Sequence, residues 1–339
     1  MPPFEKPHSD LQDLLGKPIK DLGLALEGSP LEKYVHVLYR DLERKGLRHF
    51  RPLCYLSDEW GCPSGEPVIG VPFYLADPKL AALERDTNDL EDGREILMYL
   101  RHEAGHAFNY AYELYKGDEW RALFGPFRRP YRDHYRPEPF SRHFVRHIAG
   151  WYAQKHPDED FAETFAVWLT PRSGWRRRYR GWPALRKLRY VDRAARRLAD
   201  TPPLRAVGAT DVTVADMDIT VEQFYQTHTP DEAQAIAELA LDTDLVDILT
   251  KPAPRRRAGI RPAGPWLAEH RKAIVDKVTY WTGVRRPLVR ALVDSVELRV
   301  AALGLAVETA REDTQLVEVT AYATTLAMTY LARGRFTQP

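Results

Sequence analysis

The segment 93-GREILMYLRHEAGHAFNYAYELYK has no internal proline and keeps a helical pattern for about six turns. Inside it stands 102-HEAGH. Residues four apart on a helix share a face, so His102 and His106 can turn two imidazole nitrogens toward one metal ion. Glu103 lies about 100° round the same helix, where a carboxylate reaches a water on that ion and acts as general base. Ala104, Gly105 and Ala107 are small and uncharged, which suits a helix pressed against the floor of a cleft. Two histidines do not complete a catalytic site, which needs a third protein ligand and a place left for water. In the extended pattern HExxHxxGxxH that ligand comes from the same helix. Here Asn109 and Tyr112 hold those places, so it must come from another element.

The segment 156-HPDEDFAETFAVWL offers a carboxylate on a second helix, with Phe161, Ala162, Phe165, Ala166 and Trp168 as its apolar anchorage. Glu159 is assigned to the metal. Glu163, one turn on, then accepts the distal N–H of a ligating histidine. The reversed roles stay open, Asp160 is a minor alternative, and a plain acidic helix start is the structural reading. Tyr152 precedes Glu159 by seven residues. Its phenol either turns into the site, to stabilise an oxyanion, or is an ordinary aromatic on a helix. His134, His143, His147 and His156 crowd the same region. They read as surface positions or, for His147 especially, as contacts to substrate.

Around these motifs the pattern is α+β and predominantly helical. Residues 1–45 are helical after a proline-rich start, and 47-LRHFRPLCYLS and 67-PVIGVPFYLA form a small N-terminal β-sheet of two or three strands. Helices are expected near 141–155 and 158–170, a hairpin within 205–225, and a helix over 230–250. The proline-rich 251-KPAPRRRAGIRPAGP reads as a linker. Three helices follow near 265–282, 286–304 and 313–332. The expected division is a catalytic domain over 1–171, a basic helical extension over 172–250, a linker over 251–264 and a helical C-terminal module over 265–339.

Charge gives little direction. The net charge is +1, so a partner has to be sought in a local patch. Between Arg172 and Ala199 there are 11 Lys or Arg residues and one acid, interleaved with Trp175, Tyr179, Trp182 and Tyr190. Such a stretch is a solvated helix face, a docking surface for acidic substrate, or a phosphate-tracking surface. Nucleic acid is the least favoured of the three. No membrane-spanning run and no secretory signal is read. Cys54 and Cys62 are too few for a disulfide framework, and a cytoplasmic location is expected.

The pieces 99-YLRHEAGHAFNY, 121-RALFG and 156-HPDEDFAETFAVWL together resemble a bacterial family of zinc-binding metallopeptidases, over about Arg94 to Leu169. The broader class is the gluzincins, which pair HExxH with a later Glu-x-x-x-Asp/Glu. The resemblance implies a zincin-like catalytic domain that hydrolyses a peptide bond with Zn2+ as cofactor. It implies His102, His106 and Glu159 as ligands, Glu103 as base, Glu163 behind the ligands and Tyr152 as a catalytic tyrosine. It also implies a strand edge above the motif helix that pairs with extended substrate, for which Gly70 and Val71 are the candidates. The zinc ribbon of many members is not expected, since the chain lacks a four-cysteine set. A peptide or protein is the expected substrate. The alternatives are a zinc-scaffold binder of an anionic partner and a maturation peptidase dedicated to one cognate peptide.

Overall fold

The computed structural model describes residues 7–87, 90–131, 137–225, 239, 241–252, 259–284, 286–333 and 336. The chain forms two compact units, Met1–Thr227 and His228–Pro339. Among the described residues both are predominantly helical, and β-structure is confined to two two-stranded sheets. No helix there is long and apolar enough to cross a membrane.

The first unit runs through α1 (Pro7–Leu15), α2 (Glu32–Arg44), β1 (Leu53–Ser57), β2 (Val68–Pro72), α3 (Pro78–Thr87), α4 (Gly93–Ala111), α5 (Asp118–Phe124), α6 (Pro157–Leu169), α7 (Trp175–Arg178), α8 (Ala184–Arg197) and α9 (Val221–Tyr225). The strands β1 and β2 are parallel, with Tyr55 opposite Gly70. The link between them swings past β2 and lays Gly61 along its other edge.

The second unit comprises α10 (Asp242–Ile248), β3 (Ile260–Pro262), α11 (Ala263–Thr282), α12 (Arg286–Ala302), β4 (Ala306–Glu308) and α13 (Glu312–Arg333). Its core is aliphatic, built on Leu245, Trp266, Leu267, Val275, Val289, Leu292 and Ala327.

Two expectations fail for one reason: backbone groups found partners outside their own segment. The helix near 141–155 does not form. There the N–H groups of His147 and Ile148 donate to the Glu163 carboxylate, and that of Arg146 donates to the Tyr179 hydroxyl. Trp151 takes a positive φ of 60°, and only the short turn Tyr152–Gln154 remains. The hairpin within 205–225 is also absent. That segment wraps back on the first unit, where Arg205 pairs with Glu66, Val212 accepts from Ser57, and Ile219 accepts from the N–H of Ile19. The division between the two units falls at 227/228, within the stretch read as one extension. The expected linker is partly regular, since β3 and the start of α11 fall inside it; residues 253–258 lie outside the described residues, as do 230–238 and 240 of the expected 230–250 helix.

The basic stretch resolves into α7 and α8. Trp175, Tyr179 and Tyr190 are buried in the first unit's core, with Trp182 packed against it.

Candidate metal centre

Two helix starts set the phase of the centre. Asp92 caps α4 by accepting from the N–H groups of Arg94 and Glu95, at 2.7 and 3.0 Å, while Glu95 accepts from the N–H of Asp92 at 2.8 Å. At α6, Pro157 takes the first helical position, and the Nδ1 of His156 accepts from the N–H of Asp158 at 3.1 Å. Asp158, Glu159 and Asp160 then fill the first turn, where the helix dipole favours negative charge.

What joins the helices is the absence of a side chain. A Cβ on Gly105 would lie 2.7 Å from the Cα of Ala162 and 2.9 Å from its carbonyl oxygen, so the two backbones touch. Phe108 stacks on Phe165 with ring centroids 5.0 Å apart, closing the seam on its apolar side. At this separation side chains of α4 and α6 meet directly, and those on the facing surfaces are polar.

His102, His106 and Glu159 converge there, all buried. The Nε2 of His102 stands 3.0 Å from Glu159 Oε2 and 3.1 Å from the Nε2 of His106, which is itself 3.2 Å from the same oxygen. These three edges are close to the roughly 3.3 Å edge of a tetrahedron with ligand bonds of about 2.0–2.1 Å.

The tautomers follow from the far side of each ring. The Nδ1–H of His102 donates to Glu163 Oε1 at 3.1 Å, and the Nδ1–H of His106 donates to Asp158 Oδ2 at 2.9 Å. With both Nδ1 atoms carrying protons, both Nε2 lone pairs point at the carboxylate oxygen. Three acceptors within 3.2 Å of one another repel unless a cation lies among them, whether proton or metal. The donor set therefore fits a divalent ion of the zinc type.

Titration expresses the same demand. Burial pulls the His102 imidazole down, but its hydrogen bonds to Glu159 and Glu163 outweigh this and push it up to about 9. Burial likewise opposes the charge on His106, and the Asp158 and Glu159 carboxylates overcome it, holding that ring well above its ordinary value. Glu159 moves the other way. Burial would raise it, yet the two imidazoles hold it well below the usual carboxylate range. Burial lifts Glu103 above its ordinary value, partly offset by the two histidines. The Glu103 side chain is buried beside the two imidazoles, whose charge acts on it.

Tyr152 comes to the centre, its hydroxyl 3.4 Å from Glu159 Oε1 and its ring 5.6 Å from that of His102. Glu163 stands behind His102, fixed by the N–H groups of His147 and Ile148. Asp160 faces away and pairs with Lys187 Nζ at 2.6 Å.

Two expectations about substrate contacts require correction. The edge of β2 at Gly70 is filled: Gly70 donates to Gly61 O at 2.7 Å and accepts from its N–H at 3.3 Å. With β1 on the other side and the whole strand buried, Gly70 and Val71 cannot receive a substrate strand. His147 is likewise engaged within the protein. Its Nε2–H donates to the carbonyl of Met98 at 3.0 Å, and burial lowers its pKa, so the ring is a neutral strut. His143 is exposed, His156 caps α6 and stacks on Tyr131, and His134 lies outside the described residues.

Asp158 is the functional residue the sequence reading missed. It is fully buried and accepts from His106, from Asn109 Nδ2 at 2.8 Å and from the hydroxyl of Tyr110. A signal existed. Two ligating imidazoles need two acceptors behind them, and 156-HPDEDFAE holds four acids, of which only one had been given that task.

Residues 68–173 match the model of the family described as "Putative zinc-binding metallo-peptidase". The matched segment contains β2, α4 and α6, with every side chain of the centre. No curated protein and no solved structure gives a match.

Proposed function

We propose that this chain is a zinc-dependent peptidase of zincin-like, gluzincin type that hydrolyses peptide bonds in a peptide or protein substrate. One observation carries the reading: three acceptor atoms, from His102, His106 and Glu159, face one another at 3.0–3.2 Å with their protons tied up elsewhere. Zinc bound by these residues supplies Lewis acidity to the scissile carbonyl and brings a water's pKa down to about 7.

The protein's own groups do the rest. Glu103, raised by burial, accepts a proton from the attacking water as the C–O bond forms. The same carboxyl then returns that proton to the departing amine as the C–N bond breaks. Tyr152 donates its O–H to the oxyanion, and its approach to Glu159 supports that role. Glu163 and Asp158 hold the two imidazoles in the tautomer with Nε2 free. A cytoplasmic setting belongs to this reading, since both cysteines are free thiols.

The test is metal analysis beside peptide-library turnover. Glu103→Gln is expected to keep one zinc per chain and lose turnover by about 10²–10⁴-fold. His106→Ala is expected to lose the metal. Stoichiometric zinc in His106→Ala would sink the site, and undiminished turnover in Glu103→Gln would remove the base.

A further inference from the structure

The basic stretch divides its arginines between two sides of α8. On one, Asp192 pairs with Arg176 at 2.9 Å and with Arg196 at 3.1 Å, while Trp168 donates to its other oxygen. On the other, Arg186, Arg189 and Arg193 follow at helical spacing and line a groove with Glu119, Ala122 and Leu123 of α5. The groove encloses about 240 Å³. Its only described acid is Glu119, which pairs with Arg193. Arg186 and Arg189 make no ion pair with a described residue, and both are exposed. The surplus of two positive charges sits beside Ala122 and Leu123.

Resting on the peptidase reading, we infer that the α5–α8 groove is a docking site for an acidic segment of the protein substrate. The guanidinium fork accepts carboxylates in bidentate fashion, which favours arginine over lysine at such a place. From Arg186 to Arg193 the helix rises about 10 Å, the reach of roughly three residues of extended chain, so alternate acidic side chains meet successive arginines. Nucleic acid is disfavoured because Trp175, Tyr179 and Tyr190 are buried and Trp182 is half-buried against the core, which leaves little aromatic surface of this stretch to stack bases. The groove is also built on the helix that bears Glu159. Phe124 of α5 packs edge-on to Phe161 of α6 at 5.3 Å, and Lys187 of α8 holds Asp160. A substrate segment held there is fastened to the structure that carries the metal ligands.

The experiment measures binding of a fluorescent hexaglutamate to the full chain by anisotropy, which requires no turnover. Arg186→Glu with Arg189→Glu is expected to raise Kd at least 10-fold, and salt to weaken the wild type progressively. Lysine at both positions should recover part of the affinity, which separates lost charge from lost folding. Equal hexaglutamate affinity in the wild type and the double glutamate variant would overturn the proposal. Tighter, arginine-dependent binding of a single-stranded oligonucleotide of matched charge would overturn it in favour of nucleic acid. Arginine-dependent hexaglutamate binding by a chain that turns over no peptide would leave the groove standing and bring down the peptidase reading alone.

Discussion

The α4–α6 seam and the C-terminal bundle are both helix packings, yet they bury opposite things. The seam encloses His102, Glu103, His106, Asn109, Asp158, Glu159 and Glu163. The bundle of α11, α12 and α13 encloses Trp266, Leu267, Val275, Val289, Leu292 and Val296, with few polar side chains. Burying carboxylates and imidazoles costs free energy that only hydrogen bonds and a bound cation offset. Burying aliphatic carbon stabilises by roughly 25 cal/mol per Å². The seam is therefore a place where stability is given up for chemistry, and the bundle is a place where it is gained.

The strongest way to break this contrast is Leu292→Ala, at a fully buried bundle position. It should cost about 2–5 kcal/mol in chemical denaturation while zinc stoichiometry stays unchanged. A matched fall in zinc content would mean the two regions are not independent. Glycine provides a second comparison. Gly105→Ala places a methyl into the backbone of Ala162 and should destabilise by about 1–3 kcal/mol, weakening metal affinity as the helices part. Gly264→Ala, at the start of α11, meets the Cβ and Cα of Ala301 at 3.4 and 4.0 Å, ordinary van der Waals contact, and should stabilise by about 0.5 kcal/mol. Melting temperatures moving in the same direction for both would contradict the contact distances.

Asp158→Asn keeps the shape but removes the charge behind His106, and should weaken zinc binding by about 10–100-fold in competition with a chelator. Wild-type affinity in that variant would reduce Asp158 to a helix-start residue.

The last effect is on pH. With its folded-state value raised to about 9 against about 6.5 in the unfolded chain, His102 stabilises the metal-free protein fully below pH 6.5. That contribution is lost as pH rises through 9. Zinc needs the neutral ring, so its affinity climbs over the same window, by up to about tenfold per pH unit for each imidazole that must lose a proton. The gap in melting temperature between loaded and metal-free protein should widen from pH 6.5 to 9, and a constant gap would exclude His102 as a ligand that exchanges proton for metal.

Periodicity and spacing made α2, α4, α6 and the three C-terminal helices legible, because a helix written as an apolar stripe must bury that stripe wherever it lies. The HEAGH spacing made His102, Glu103 and His106 candidates by geometry internal to one helix. The chain's local pattern also carried a helix over 141–155, a hairpin over 205–225 and a substrate edge at Gly70, and none of these survived packing. In each, backbone donors or acceptors were claimed by partners outside the segment: Glu163 and Tyr179, Glu66 and Ile19, Gly61.

What the amino-acid order determined by itself is the set of side chains that a helix places on one face. Which carboxylate stands behind which imidazole was decided by the tertiary structure alone. Asp158 and Glu159 are neighbours in sequence, yet one supports His106 from behind while the other faces the metal position. The reason is physical: the approach of α4 to α6 is set where Gly105 meets Ala162, and only at that separation does the roughly 100° between adjacent helical residues become a difference in role.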